Sequence, residues 1–463
     1  MNKVFQWFSP AFATSGIRES QNIMKLLVIG SGGREHALAW KLSLSPRVHK
    51  VFVAPGNAGT ALERGLENIS ITSIPELIEF AKQEQIAITV VGPETSLAAG
   101  IVDAFQSAGL KIFGPVQQAA QLETSKIFAK EFMQRHHIPT AAYARFQDPV
   151  LAHKYIDQKS TPLVIKADGL AAGKGVVVAQ TNEQAHSAIN TILVEKNFGS
   201  AGYEIIIEEF LHGIEVSFIV MTDGCHILPL ATSQDHKRLY DGDLGPNTGG
   251  MGAYSPTPFI SPSLHAQIMR NIIYPVINGL KEEGINYTGF LYAGLMITAE
   301  DQAKVLEFNC RLGDPETQPI MLRLKNDLLT LIEHAVNGTL DKVDAEWDQR
   351  AALGVVMAAY GYPEDPRKND VIQGLQDLII DQENTGNFHI FHAGTRMGGK
   401  DEKEIMTTGG RVLCVTTLGE NVKIAQQNTY KLIERIHFDD YQIRHDIGYQ
   451  GINYQRKNSV RKN

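Results

Sequence analysis

The sequence predicts a multidomain α/β protein with a doubly wound parallel sheet first, a β-rich central region next and a small α+β domain at the end. Three observations support this fold class. Strand and helix patterns alternate from Met24 to residue 113, a glycine-rich turn interrupts a β-branched segment, and short strands recur after residue 350. The chain has 463 residues, which exceeds one ordinary domain.

The composition argues against several classes of protein. A net charge of -8 gives no general attraction to nucleic acid or to an anionic membrane, and no long apolar run predicts a membrane span. Cys225, Cys310 and Cys414 are too far apart for a disulfide framework or a Cys-x-x-Cys metal site. We therefore expect a cytoplasmic protein with small-molecule partners and with no nucleic-acid or membrane partner.

The first residues are excluded from the predicted fold. Residues 1–23 precede a second methionine, Met24, and the strand-like run 25–29. Their apolar stretch is too short and too interrupted for a signal peptide. They are interpreted as a disordered extension or as a start assigned too early.

The first domain is expected over residues 24–125. Its predicted strands and helices lie at 25–29, 34–44, 51–54, 75–84, 86–91, 97–108 and 111–113. The first turn, Gly30-Ser-Gly-Gly-Arg-Glu-His36, places glycines at a helix N-terminus, where free N–H groups favour an anion. Gly32 and Gly33 are therefore predicted substrate contacts, and so is Asn57, whose loop follows a later strand at the carboxyl end of the sheet and could line the same pocket. A tight turn that serves packing alone is the alternative.

A nicotinamide cofactor is disfavoured at this turn. Glu35 stands where a dinucleotide-binding fold needs glycine, and the second strand does not end in the acidic residue that holds a ribose hydroxyl. An oxidoreductase built on the first sheet is thus a weaker hypothesis.

The segment 162–179 predicts a strand, a glycine-rich turn and a second strand. Glycines let backbone N–H groups approach a phosphate, and lysines supply positive charge. The candidate phosphate contacts are Lys166, Gly169, Gly173, Lys174 and Gly175. Because a Walker-type loop would open a helix, a β-turn-β phosphate lid is the better prediction. An ordinary hairpin with solvated lysines is the alternative.

This turn belongs to a β-rich unit expected over residues 145–212. Its last strand ends with Glu208, Phe210 and Leu211, which combine polar and apolar groups as an adenine slot requires. A plain edge strand with solvated glutamates is the alternative.

A helix predicted over residues 117–136 leads towards this unit and carries Lys126, which in isolation is typical of a solvated lysine. Further along, residues 233–254 form a loop rich in glycine and charge that holds almost no predicted core residues. Such loops are usually binding loops or disordered ones. Its His-Lys-Arg cluster suits a phosphate or carboxylate substrate, so Lys237 and Gly250 are predicted substrate contacts.

A later strand carries candidate metal ligands. Residues two apart on a strand share a face, so Glu307 and Asn309 present two oxygens together, with Arg311 one step further. Carboxylate and amide oxygens suit Mg²⁺, or Mn²⁺, bound with nucleotide phosphates. The wet face of a half-exposed strand is the alternative.

The last domain is expected over residues 350–450. Its predicted strands include 354–360, 389–392 and 411–416, and no catalytic group stands out there. The basic tail, 451–463, is expected to be disordered.

Six stretches of this sequence resemble the ATP-grasp superfamily and, within it, the phosphoribosylamine–glycine ligase family of purine biosynthesis. They are residues 28–38, 54–60, 165–175, 231–238, 245–256 and 307–319. The resemblance implies an ATP-grasp domain over residues 126–349. It also implies that glycine, ATP and 5-phosphoribosylamine become glycinamide ribonucleotide, ADP and phosphate through a glycyl phosphate.

The resemblance further implies roles for individual residues. Lys126, Lys166 and the loop 169–175 would bind ATP phosphates, Glu208, Phe210 and Leu211 adenine, Glu215 ribose, and Glu307 and Asn309 the metal ion. Arg311 would clamp the glycine carboxylate, and Asp235 and Asp314 would contact the amines of the two substrates.

Several alternatives stay open from sequence. Another ATP-grasp ligase or a biotin carboxylase-like enzyme is the nearest rival, and a non-catalytic nucleotide-binding regulator is another. The Asp-His-Lys-Arg and Gly-Pro-Asn-Thr-Gly-Gly-Met-Gly loops favour the glycine ligase. The strand 289–297 offers no further carboxylate, which leaves the number of metal ions open. A monomer or a weak homo-oligomer is expected.

Overall fold

The computed structural model describes residues 23–169, 175–196, 202–399 and 403–461. The predicted phosphate contacts Gly173 and Lys174 lie outside these ranges, as does the extension that precedes residue 23.

The amino-terminal sheet has five parallel strands in the order β3-β2-β1-β4-β5. The elements of this region are β1 (Met24–Gly30), α1 (Gly33–Ser43), β2 (Val48–Pro55), α2 (Ala58–Leu62), β3 (Leu66–Asn68), α3 (Ile74–Gln83), β4 (Ile88–Val91), α4 (Glu94–Ala98), α5 (Ile101–Ser107) and β5 (Ile112–Phe113). The central strand β1 is apolar and buried from Leu26 to Ile29, as a sheet covered on both faces requires. The predicted doubly wound sheet is confirmed, and the loops after β1, β2 and β4 meet at its carboxyl edge.

Two of the predicted helices are divided in the structure. The helix expected over 97–108 breaks at Gly100, whose φ of 79° is left-handed. The helix expected over 117–136 is two helices, α6 (Gln121–Thr124) and α7 (Lys126–Arg135). Ser125 separates them in an extended conformation, and its Oγ accepts the N–H of Phe128 at 3.1 Å. Lys126 therefore begins a helix, which places it beside the glycine-rich turn.

The lid is a four-stranded antiparallel sheet in the order β6-β9-β7-β8. Its elements are β6 (Tyr143–Phe146), α8 (Pro149–Asp157), β7 (Leu163–Ala167), β8 (Val176–Ala179), α9 (Asn182–Ile189), a π-helical turn (Asn190–Val194) and β9 (Ile205–Glu209). β7 and β8 pair across the glycine-rich turn, with Lys166 opposite Val176. The predicted β-turn-β arrangement is thus confirmed, and the lid has a small core of its own around Ile165 and Ile207.

The middle of the chain forms a second antiparallel sheet, in the order β11-β10-β16-β17. The elements of this region are β10 (Ile214–Thr222), β11 (Ile227–Pro229), β12 (Gln234–Asp235), β13 (Arg238–Tyr240), a 3₁₀ turn (Asp241–Asp243), β14 (Leu244–Asn247), β15 (Gly252–Ser255), α10 (Pro262–Ile268), a π-helical turn (Met269–Ile273), α11 (Tyr274–Glu282), β16 (Gly289–Ile297), β17 (Ala303–Asn309), α12 (Thr317–Arg323), α13 (Leu328–Val336) and a second 3₁₀ turn (Leu340–Lys342). The predicted strand with the candidate metal ligands is therefore an edge strand of this sheet.

The carboxy-terminal region contributes β18 (Ala351–Ala358), α14 (Leu375–Thr385), β19 (Phe388–His392), β20 (Thr395–Gly398), β21 (Glu404–Thr407), β22 (Arg411–Gly419), α15 (Val422–Ile433) and α16 (Tyr449–Arg461). Its main sheet has the order β12-β15-β18-β22-β19, so two of its strands come from the middle of the chain. β15 pairs with β18, with Ala253 opposite Gly354.

Two expectations about these regions are wrong. Residues 233–254 were expected to hold almost no core, but Met251 and Tyr254 are fully buried because β15 is an inner strand. The tail was expected to be disordered, but α16 extends to Arg461. None of the helices within the described ranges combines the length and the hydropathy that crossing a lipid bilayer needs.

Candidate active site

Two lysines and one carboxylate form a buried cluster between the lid sheet and α7. Nζ of Lys166 on β7 lies 3.0 Å from Oε1 of Glu208 on β9, and Nζ of Lys130 on α7 lies 3.2 Å from Oε2. Burial lowers the pKa of Lys130 to about 8, and Glu208 opposes that change. Glu208 is 2% exposed and faces both lysines, whereas the sequence analysis assigned its side chain to an adenine slot. The structure thus gives Glu208 a lysine-pairing position, and Lys130 was missed.

Lys126 lies where the glycine-rich turn begins. Its Nζ donates to the backbone carbonyl of Gly169 at 2.8 Å. Asp168 accepts the N–H of Ile127 at 3.1 Å, which ties the turn to the first residues of α7. Burial lowers the pKa of Lys126, and the charge of Lys166 lowers it further. A polyanion bound here would relieve that repulsion, which is what the phosphates of a nucleotide supply.

Glu307 and Asn309 lie on one face of β17, as their spacing predicts. Nζ of Lys237 is 3.4 Å from Oε1 of Glu307 and also contacts the carboxylate of Glu215 on β10. Lys237 is the main cause that lowers the pKa of Glu307 to about 2, so this carboxylate is ionised at neutral pH. Glu215, assigned from sequence to ribose, is paired with Lys237.

The oxygens of Glu307 and Asn309 fit a divalent cation that takes oxygen ligands. Within the described residues, no group of three or more His, Cys, Asp and Glu side chains could hold a metal ion. A cation on β17 would therefore need further oxygens from elsewhere, and nucleotide phosphates are a suitable source.

Residues 235–238 connect β12 to β13, and the side chains of the predicted His-Lys-Arg cluster have different partners. His236 points inwards, is 3% exposed, and accepts the N–H of Gly448 at its Nε2 at 3.0 Å. Arg238 donates to the carbonyl of Gly245 at 2.7 Å. Of the predicted His-Lys-Arg cluster, only Lys237 reaches the β17 carboxylate.

Asp235 and Glu316 are close enough for their carboxyl groups to interact electrostatically. Burial raises the pKa of Asp235 well above its usual range, and Glu316 adds to the increase while Lys237 opposes it. Glu316 is buried and accepts a hydrogen bond from Oγ of Ser217 at 3.1 Å. A cation beside Asp235 would favour the ionised form of its carboxyl group, so an amine substrate would suit this position. Glu316 was not among the predicted site residues.

The loop after β17 meets the carboxy-terminal sheet at Arg411 on β22. Nη1 of Arg411 donates to the carbonyls of Asp314 at 2.5 Å and Gly249 at 2.6 Å, and its Nη2 lies 3.4 Å from Oδ2 of Asp314. The guanidinium of Arg411 lowers the pKa of Asp314. Arg411 lies in a region in which no catalytic group was predicted.

The predicted substrate glycines lie against these carboxylates. A β-carbon on Gly32 would lie 3.4 Å from Oδ2 of Asp314, and one on Gly33 would lie 2.6 Å from Nε2 of Gln318. A β-carbon on Gly250 would lie 2.6 Å from Oδ1 of Asp235. Gly250 also has a φ of 114°, which other residues rarely adopt. The adjacent Gly32 and Gly33 and the distant Gly250 thus each lie close to a polar side chain of the site.

Two residues near the first turn are engaged within the chain. Nδ2 of Asn57 donates to the carbonyls of Ser31 and His392, each at 2.8 Å, so both amide hydrogens are used. Oε2 of Glu35 accepts the N–H of Gly32 at 2.7 Å. The predicted anion position at the start of α1 is therefore held by a carboxylate of this chain, and Asn57 has a structural role there.

Arg311 is enclosed by oxygen atoms of the chain. Its Nε lies 3.1 Å from Glu94, and its Nη2 lies 2.7 Å from Glu123 and 3.3 Å from Oδ1 of Asn309. Its Nη1 donates to the carbonyl of Leu312 at 3.1 Å. All three nitrogens of the guanidinium are thus occupied, which differs from the free clamp for a carboxylate that the sequence analysis expected.

The hinge after β9 carries the remaining predicted adenine contacts. Leu211 is buried, and the Phe210 ring meets that of His212 edge-on, with centroids 4.9 Å apart. These apolar groups lie between the lid sheet and β10, where a planar base could insert.

A pair of antiparallel lid strands with a buried lysine, next to a strand that carries a carboxylate and an amide, is typical of an ATP-grasp protein. The chain belongs to the phosphoribosylglycinamide synthetase family. The family's N domain matches residues 24–123, its ATP-grasp (A) domain residues 124–317 and its C domain residues 352–450.

Curated relatives are similar over nearly the whole chain. The phosphoribosylamine–glycine ligase of Ralstonia nicotianae is 57% identical over 429 residues, which are 93% of this chain and 100% of that protein. The enzyme of the same name from Escherichia coli K12 is 57% identical over 431 residues, 93% of this chain and 99% of its own length.

Solved structures agree with this placement. The crystal structure of phosphoribosylamine–glycine ligase from Thermotoga maritima has a TM-score of 0.78 at 33% identity and covers 92% of this chain and 100% of its own. The biotin carboxylase of Campylobacter jejuni has a TM-score of 0.66 at 13% identity, over 91% of this chain and 93% of its own, and shares the fold.

Proposed function

We infer that this chain is an ATP-dependent carbon–nitrogen ligase of purine biosynthesis that joins glycine to 5-phosphoribosylamine, giving glycinamide ribonucleotide, ADP and phosphate. One observation carries the assignment: Lys237 connects the loop of Asp235 to Glu307, so the substrate loops and the β17 oxygens meet at one place. The identity of 57% with phosphoribosylamine–glycine ligases over 93% of the chain supports this choice of substrates.

The nucleotide is proposed to lie between the lid and β17. Lys126 and Lys166 bind its phosphates, the turn 169–175 covers them, and Phe210 with Leu211 contacts the adenine. Glu307 and Asn309 would hold Mg²⁺ or Mn²⁺. When bound, such an ion neutralises charge on the transferred phosphoryl group.

The proposed chemistry has two steps. A carboxylate oxygen of glycine attacks the γ-phosphorus of ATP, which forms glycyl phosphate and releases ADP. The amine of phosphoribosylamine then attacks the glycyl carbonyl carbon, the bond to phosphate breaks, and the amine loses a proton. Asp235, whose pKa is raised by burial and by Glu316, is suited to accept that proton.

Positioning and exclusion of water are the main contributions of the chain. No covalent enzyme nucleophile is needed, because each attacking atom belongs to a substrate. Asp314 is proposed to hold one substrate amine, and Arg411 fixes Asp314 from the carboxy-terminal sheet. Closure of the lid would protect the acyl phosphate from hydrolysis.

The domain limits, the oligomeric state and the cellular location of the protein are proposed as well. We propose domain limits at 24–125, 126–349 and 350–450, and a monomer or weak homo-oligomer. A cytoplasmic location is supported by three free cysteines, two of them buried.

The proposal is tested by measuring ADP release with ATP and Mg²⁺ while glycine and freshly generated phosphoribosylamine are added separately and together. Release that needs both substrates, with glycinamide ribonucleotide detected by mass spectrometry, is the expected result. Bicarbonate with biotin serves as a parallel reaction for the carboxylase alternative. Release that follows bicarbonate and biotin, or that needs neither amine nor glycine, would overturn the substrate assignment.

A further inference from the structure

Glu123 is a buried carboxylate that the mechanism above does not use. It lies on the short helix α6, in the segment that leads from the first sheet to α7. Its side chain is 6% exposed, so its charge is largely removed from solvent. A carboxylate in that environment needs compensating partners, and Glu123 finds all of them at the end of β17.

The two oxygens of Glu123 hold two different parts of that strand end. Oε2 accepts the backbone N–H of Cys310 at 2.7 Å, and Oε1 pairs with Nη2 of Arg311 at 2.7 Å. The same Nη2 donates to Oδ1 of Asn309 at 3.3 Å. Glu123 therefore fixes both the main chain next to Asn309 and the guanidinium that touches its amide oxygen.

The charge of Arg311 needs this carboxylate as well. An uncompensated guanidinium beside Asn309 would repel any divalent cation that Asn309 holds. Glu94 also pairs with Arg311, but its side chain is 30% exposed and its contact is longer, at 3.1 Å. Glu123 is thus the shorter and more desolvated counter-charge.

We propose that Glu123 is a positioning residue for the divalent cation: it acts through Arg311 and the Cys310 amide to keep the oxygen of Asn309 directed at the ion. The proposal rests on the proposed function, because it needs a metal ion at Glu307 and Asn309. It assigns to α6, an element outside the β17 strand, a share in metal affinity.

The test measures Mn²⁺ binding directly, by the electron paramagnetic resonance signal of free Mn²⁺, with the full chain and a non-hydrolysable ATP analogue. Glu123→Gln keeps the shape but removes the charge and one acceptor. We expect its Mn²⁺ affinity to fall about tenfold or more, as for other residues that orient metal ligands. Glu123→Asp keeps the charge, and its Mn²⁺ affinity should lie between that of Glu123→Gln and that of the unmodified chain.

A matched control is Glu333→Gln. Glu333 also forms an ion pair with an arginine, Arg47, at 2.7 Å, but it lies on α13 away from β17. Its substitution should leave Mn²⁺ affinity unchanged. Thermal unfolding of each variant identifies any that do not fold.

The same substitution made in an Arg311→Met chain tests whether Glu123 acts through Arg311. If it does, Glu123→Gln should change Mn²⁺ affinity much less in an Arg311→Met chain than in the unmodified chain. An equal loss in both backgrounds, or Glu123→Gln affinity equal to that of the unmodified chain, would overturn the proposal.

The variant Glu307→Gln distinguishes a failure of the proposed metal site from a failure of the proposed role of Glu123. If it does not weaken Mn²⁺ binding, the metal site itself is wrong and the proposed function loses that part. If it weakens binding while folded Glu123→Gln does not, only the positioning role of Glu123 fails.

Discussion

The ammonium group of Lys237 lies 3.4 Å from Oε1 of Glu307 and joins a substrate loop to the strand that carries the candidate metal ligands. This contact is the main reason that the pKa of Glu307 falls to about 2. The carboxylates around Lys237 in turn raise the pKa of its ammonium. Lys237 therefore keeps Glu307 ionised although both side chains are partly exposed, at 32% and 46% respectively.

Removing this cation should make metal binding sensitive to acid. In Lys237→Met the pKa of Glu307 should rise, so that protonation competes with the metal ion as the pH falls from 7.5 to 5. The unmodified chain should keep its affinity in that range, because Glu307 ionises at about pH 2. Mn²⁺ titrations at several pH values measure the effect. Lys304→Met, on the same strand but paired with Glu209, is the control. Parallel pH profiles for all three chains would contradict the prediction.

Loss of the Glu307 carboxylate should stop the reaction. Glu307→Ala is expected to lower turnover by about 1000-fold or more, because charge stabilisation by the ion is worth several kcal/mol. Binding of glycinamide ribonucleotide, measured by calorimetry, should weaken far less. Glu300→Ala, in the turn before β17, should behave as the unmodified chain. Unchanged turnover in Glu307→Ala would remove this residue from the metal site.

Lys166 should determine how much ATP the enzyme needs. Lys166→Ala removes a charge-assisted contact to phosphate and leaves Glu208 with only Lys130. We expect KM for ATP to rise about tenfold to a hundredfold, the equivalent of one charged hydrogen bond. Initial rates against ATP concentration provide the measurement, with the lid lysine Lys159→Ala as control. An unaltered ATP dependence would count against the assigned role.

Arg411 should affect the amino substrates and not the nucleotide. A lysine has a single terminal nitrogen, so it cannot both donate to the carbonyls of Asp314 and Gly249, as Nη1 does, and contact Oδ2 of Asp314, as Nη2 does. In Arg411→Lys, kcat/KM for glycine should fall about tenfold, the value of one or two hydrogen bonds, while KM for ATP stays constant. Arg435→Lys, whose partner Asp381 is exposed, is the matched control. A change in KM for ATP alone would refute the assignment of Arg411.

A cluster of buried histidines should make stability fall with acid. His392 on β19 lies beside His36 of α1, His389 and Glu63, and burial lowers its pKa to about 3. The unfolded chain takes up this proton near pH 6.5 and the folded chain does not. The stability that the protein gains from keeping His392 neutral is therefore fully present above that pH and declines as the pH drops.

At pH 5.5 one such histidine lowers the free energy of unfolding by about 1.4 kcal/mol relative to its value at neutral pH. In His392→Gln, the loss of thermal midpoint between pH 7.5 and pH 5.5 should be smaller than in the unmodified chain. Differential scanning calorimetry measures both midpoints, and the exposed His49→Gln is the control. An identical loss in all three chains would show that His392 takes up its proton in the folded state.

The elements that sequence predicted well are those with a local pattern. The four predicted strands of the first sheet follow from apolar runs, β7 and β8 from apolar runs on either side of a glycine-rich segment, and the shared face of Glu307 and Asn309 on β17 from a period of two; the structure has these strands and adds β3, which was not predicted. The family resemblance depends on these same stretches. Prediction failed where a helix was divided by one residue, as at Ser125, whose capping bond competes with continued helix.

The missed site residues share a different property. Arg411 meets Asp314 across 97 positions of sequence, and Glu123 meets Cys310 across 187. A local sequence pattern could not indicate partners so far away in the chain. His236 was assigned to a binding cluster for the opposite reason: its motif is local, but its side chain is buried and accepts the N–H of Gly448.

The pairing of β15 with β18 limits how this protein can be recombined. The polar segment with Asp235 and Lys237 is anchored to a strand whose neighbour begins nearly a hundred residues later, at Ala351. A chimera that exchanges everything after residue 350 with a distant homologue also exchanges the support of that segment. In a hybrid that folds, residues 234–255 and the carboxy-terminal sheet should therefore come from the same parent protein.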